Sequence, residues 1–186
     1  MTVKRKRIRL HVAAAAVLLT MTGCDRAVSD PAEQTSRAES DNAERTLAGL
    51  PSLEESKAEL EAAVLQLAAY IDTLVPGLRW EWKDSELGAE CSPPFEKSQG
   101  VKLFLRHYTA SGPVPDDLWP AVAQRAKELA APLGSTEVET FPEQAGNHGV
   151  RYFGSNAPVL WARSGAATVI TSNTGCRLPR EVKDRD

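Results

Sequence analysis

The chain has 186 residues, with 22 Lys plus Arg against 25 Asp plus Glu and a formal net charge of −3. Residues 1–23 carry five of the basic side chains and no acidic one, so the remainder holds 17 basic against 25 acidic residues, a net charge of −8. That balance excludes nucleic acid and a bare anionic membrane surface as expected partners, because both attract Lys and Arg.

Lys4, Arg5, Lys6, Arg7 and Arg9 precede the apolar stretch Leu10 to Thr20, which ends at Met21-Thr22-Gly23-Cys24. About a dozen apolar residues are too few for a spanning helix, which needs ~20, so 1–23 reads as a signal peptide. Residues 21–24 resemble the bacterial lipobox, with Met21 where Leu is commonest. The resemblance implies a diacylglyceryl group on the Cys24 thiol and cleavage after Gly23. The expected location is therefore the extracytoplasmic face of the cell membrane, with lipid on Cys24 as the membrane contact.

With Cys24 lipidated, Cys91 and Cys176 remain as an even pair in an oxidising compartment, where a disulfide is expected. Residues 24–50 contain no aromatic side chain and are rich in Ala, Ser, Glu, Asp and Arg. The expectation is a lipidated Cys followed by a flexible tether. Residues 51–180 are expected to form the folded domain and 181–186 a disordered tail.

The domain opens with a capping box, Ser52 with Glu55, and Leu53, Leu60, Val64, Leu67, Ile71 and Leu74 recur at helical spacing until Pro76-Gly77. Leu78 to Lys83 alternates as a half-buried strand with Trp80 and Trp82 on one face. Gly88 to Gly100 reads as a loop, and Val101 to Tyr108 as a second strand. Asp116 or Asp117 is expected to cap a second helix, with Leu118, Val122, Ala126, Leu129 and Leu133 inward and Gly134 at its end. Strands follow over 136–141, 150–153, 159–162 and 166–172, joined by short turns that favour hairpins. The expected fold is α+β: an antiparallel sheet of five to six strands with two helices packed on one face.

A catalytic set is hard to assemble. His107 is expected on a strand and His148 in a turn, with no serine or free cysteine placed as a nucleophile. Glu81, Asp84 and Glu86 near the tryptophans could serve as acid and base in glycan cleavage, an alternative reading as an envelope glycan or lipid hydrolase. No catalytic residue, metal ligand or cofactor site is assigned. Trp119 and Trp161 are candidate anchors of a binding surface, and Arg106 with Arg151 could form a small basic site or pair with carboxylates.

The run Thr174-Gly175-Cys176-Arg177-Leu178-Pro179, with Trp80 and Trp82 ahead of Cys91 and Trp119 after an acidic turn, resembles the LppA-like lipoproteins of mycobacteria and related actinobacteria. The resemblance covers about residues 80–179. It implies membrane attachment and a disulfide between the two domain cysteines, and transfers no catalytic residue. The resulting expectation is a lipid-anchored envelope protein without enzymatic activity, binding an envelope protein, a wall fragment or a lipid.

Overall fold

The computed structural model describes residues 36–141 and 144–185. The expected signal segment 1–23, the expected lipidation site Cys24 and residues 25–35 of the expected tether lie outside the described residues.

The expectation of a flexible tether reaching Leu50 is corrected over residues 37–48. The Ser36 hydroxyl accepts the Glu39 N–H at 3.2 Å, and the Glu39 carboxylate accepts the Ser36 N–H at 2.7 Å. This capping box starts helix α1, Arg37–Ala48. Ala43 and Leu47, four residues apart on one face, are 2% and 0% exposed. Averaged composition conceals such a pair, because docking against the rest of the domain supplies what local propensity lacks.

Helix α2, Leu53–Leu74, has the expected cap. Glu55 N–H bonds the Ser52 hydroxyl, and the Glu55 carboxylate returns to the Ser52 N–H at 2.8 Å. Leu60, Val64, Leu67 and Ile71 are buried along its inner stripe, each contributing about 1.5–3 kcal/mol of transfer free energy.

The sheet has eight strands: β1 Trp80–Lys83, β2 Leu87–Glu90, β3 Val101–Phe104, β4 His107–Ala110, β5 Glu137–Thr140, β6 His148–Phe153, β7 Val159–Ser164 and β8 Thr168–Arg177. Every pairing is antiparallel, in the order β1-β4-β8-β7-β6-β5, with the β2-β3 pair also joining β8. The α+β class and the antiparallel sheet are as expected, and two features raise the strand number. Leu87–Glu90 pairs with β3 inside what reads as turn and loop. The stretch 101–108 is broken at residues 105–106, between β3 and β4, and the register with β8 shifts between Lys102 and Phe104. There the Leu103 N–H bonds the Thr174 hydroxyl instead of a strand carbonyl.

Helix α3 runs Trp119–Ala130 with Pro120 in its first turn, and a 3-10 turn, Ala131–Leu133, leads to left-handed Gly134. Neither Asp116 nor Asp117 caps it. Leu118 occupies the cap position without a side-chain bond, and Asp116 turns to His148 instead.

α2 and α3 lie against β8, β6 and β7. Their apolar stripes meet Val150, Leu160, Ala162 and Ile170 in the main core, with Trp80, Trp82 and Tyr108 packed at its margin. A second cluster sits at the far end of β8. Cys91 and Cys176 are joined by a disulfide with Cα atoms 5.7 Å apart, and Leu47 of α1, Leu178 and Val182 pack around it. Gly100 lets the bridge pass over β3, since a Cβ there would lie 2.6 Å from the Cys176 sulfur and 3.1 Å from the Cys91 sulfur. Cys176 lies within β8, not beyond it as the sequence suggests. The expected disordered tail is likewise corrected: Arg180–Lys183 forms a short helix α4, Val182 is buried, and Lys183 donates to the Leu50 carbonyl.

Arg177 is buried beside this cluster. Its guanidinium donates to the Ser56 hydroxyl at 3.0 Å and to the Asn156 and Cys176 carbonyls at 2.9 and 2.7 Å. Burial pulls its pKa below the ordinary value, partly offset by the field of Glu59.

Candidate functional site on the helix-free sheet face

Strand alternation sends every second side chain away from α2 and α3, and the register of the central strands sorts those residues into rows. One row joins Leu87, Phe104, Asn173 and Val159. The next joins Thr171, Trp161, Arg151 and Glu139. A third joins Thr109, Val169, Arg163 and Gly149. Phe141 follows β5 and bonds the Gly149 carbonyl through its N–H. Its ring lies over Gly149, where a Cβ would come 3.1 Å from the ring edge.

Trp161 is the centre of this face. Its ring is stacked with Phe141 at 5.1 Å, and the Arg163 guanidinium lies 4.2 Å from the ring centroid. Arg151 bonds Glu139 at 3.1 Å and lies 5.0 Å from the Phe153 ring. Among the described residues no carboxylate pairs with Arg163. The Trp161 Nε1–H is buried with no acceptor among the described residues, a costly state for an indole donor. Two grooves adjoin here. One of about 370 Å³ is bordered by Phe104, His107, Thr171 and Asn173, and one of about 510 Å³ by Phe141, Gln144 and Asn147; Trp161 and Arg163 line both. Leu87 and Phe104, cross-strand partners, are 64% and 41% exposed and extend the apolar surface beyond the first groove.

The other residues singled out by sequence are placed differently. Trp119 is 3% exposed and belongs to the core, which corrects its assignment to a binding surface. Its ring stacks with His148 at 5.2 Å. His148 is a strand residue, not a turn residue, and its side chain is 7% exposed. Its Nε2 meets the Asp116 carboxylate at 2.9 Å, while its buried Nδ1 has no partner among the described residues. That hydrogen bond, and then the Gly146 N–H, hold the Asp116 carboxyl below its ordinary pKa.

The acidic trio is dispersed into local pairs. Glu81 meets Lys83 and Glu86 meets Lys57, each at 2.7 Å, and Asp84 meets His107 at 3.0 Å. Trp80 stacks on Tyr108 at 5.1 Å and Trp82 packs on it at a tilt at 4.4 Å, and Trp80 Nε1–H donates to Asp72. Arg106 lies against Trp82 and Arg151 against Glu139, so the two arginines do not share a site. The sequence reading missed Arg163, Phe141 and Phe104. The alternation of 159–164 contains the signal for Arg163, two residues from Trp161.

The architecture defines a small α+β domain: an eight-stranded antiparallel sheet, two helices on one face and a disulfide at one end. Its structure is similar to that of LppA from Mycobacterium tuberculosis, at TM-score 0.66 and 15% identity, covering 79% of this chain and 89% of that one. It is also similar to a DUF4853 family protein from Actinomyces odontolyticus, at TM-score 0.53 and 12% identity, covering 71% and 72%. No curated protein matches the sequence. The LppA family, described as a lipoprotein confined to pathogenic Mycobacterium, matches residues 28–180, and the chain belongs to that family. Among the described residues no helix is long and apolar enough to cross a membrane.

Proposed function

We propose that this lipoprotein is a non-catalytic binding module, held by lipid on Cys24 at the extracytoplasmic face of the cell membrane, and that it engages an envelope component through the helix-free sheet face. The observation that carries this reading is the buried Trp161 indole N–H, which has no acceptor among the described residues, on a side chain that lines two grooves. The lipoprotein family, the basic and apolar N-terminal segment and the Cys24 motif support the address.

Two experiments test it. Cys24→Ser is expected to move the protein from the membrane fraction into the soluble fraction or leave it unprocessed; continued acylation with full membrane retention would refute the anchor. A photo-crosslinker at Thr171, on the helix-free face, is expected to give envelope adducts that one at exposed Leu65 of α2 does not. Adducts of equal yield from both positions, or from neither, would refute the binding face.

A further inference from the structure

We propose that the helix-free face binds a linear oligosaccharide bearing carboxylate groups, held across Trp161 with one carboxylate on Arg163. The inference rests on the binding-module reading and names its ligand class.

Charge complementarity is the first argument. The protein outside the signal segment is acidic, yet this face presents a guanidinium that no described carboxylate neutralises. Arg151, in the adjoining row, is already committed to Glu139 at 3.1 Å. The face therefore matches one negative charge at a time, and the planar guanidinium fork fits a carboxylate in two parallel hydrogen bonds. A doubly charged phosphomonoester would leave half its charge facing Glu139.

Shape and chemistry supply the second argument. Sugar rings offer flat C–H surfaces that lie against aromatic side chains, and a rim of hydroxyls that needs donors and acceptors. Phe141, Trp161 and Phe104 provide the apolar surface; Thr171, Asn173 and His107 provide polar partners along the first groove. The buried Trp161 indole N–H has no acceptor among the described residues, and its side chain lines both grooves. Two grooves sharing Trp161 and Arg163 suit a chain of several units in place of a compact molecule.

Other occupants fit less well. An acidic peptide would gain most by adding a strand at a sheet edge, but the edges lie at β1, β2 and β5, away from Arg163. A second copy docked face to face would offer Arg163 no free carboxylate from this face, since Glu139 of each copy already holds Arg151.

The test is an NMR titration of the protein beginning at residue 25, following amide signals and the Trp161 indole N–H. The probes are a glucuronate-containing tetrasaccharide, the same tetrasaccharide with its carboxyls reduced to alcohols, and tetraglutamate. The acidic tetrasaccharide is expected to shift signals of β6, β7 and β8 and the Trp161 indole. Carboxyl reduction and Arg163→Gln are each expected to weaken binding about tenfold, the scale of a lost charge-assisted pair, while Arg163→Lys retains part of it. Equal binding of the reduced sugar, equal binding of tetraglutamate, or shifts confined to the helical side would each overturn the proposal. So would shifts of the same face that depend on protein concentration alone. Envelope adducts at Thr171 that contain no carbohydrate would overturn this ligand while leaving the binding-module reading standing.

Discussion

Replacing both bridge cysteines, as Cys91→Ala with Cys176→Ala, removes a cross-link between residues 85 apart in the chain. Closing a loop of that length withdraws about 4.5 kcal/mol of conformational freedom from the unfolded chain, a loss the double variant would regain. For a domain near 150 residues this corresponds to a fall in melting temperature of about 9–18 °C. The damage should begin locally, because Leu47, Leu178 and Val182 pack on the bridge at one end of β8 while the main core lies with α2 and α3. Urea unfolding gives the global figure, and amide hydrogen exchange of α1 and α4 reports the local one. A loss below about 1 kcal/mol, outside the usual range for native bridges, would refute the reasoning. It would mean that the unfolded chain already holds these two segments together.

Leu47→Ala is expected to cost about 2 kcal/mol, the low end for a buried leucine because α1 can settle toward the bridge; urea midpoints check this, and a cost near zero would show that α1 is not docked. Gly100→Ala places a methyl group against both sulfurs and Leu47, so slower bridge formation is expected in a refolding assay with thiol quenching. Glu55 is held below its ordinary pKa of 4.5, first by the Ser52 backbone N–H and then by the Ser52 hydroxyl. A carboxyl lowered on folding stabilises the protein above its unfolded pKa and loses that contribution as pH falls through the folded value. The stability difference between the protein and Glu55→Gln should therefore be constant from pH 7 to about pH 5 and shrink below about pH 4; a difference unchanged at pH 3 would refute it.

Much of the scaffold is legible from local pattern. The α2 cap and stripe, the alternation of Trp80 with Trp82 and of 159–162, and the left-handed stop at Gly134 are written within a few residues of where they act. What was illegible depends on distant partners. Asp116 looks like a helix cap because its chain position permits one, but His148, 32 residues away, takes its carboxylate. Trp119 looks like an exposed anchor, yet the sheet closes over it.

The sequence by itself determined the acidic balance, the apolar N-terminal segment ending at Cys24, the even cysteine pair and the class of fold, since each follows from composition or short periodicity. Only the tertiary structure decided that α1 docks through Leu47, that Trp119 is core while Trp161 faces outward, and that Arg163 stands beside it with no carboxylate among the described residues. Those outcomes turn on strand register. A shift of one residue would reverse which side chains meet the helices and which face away from them.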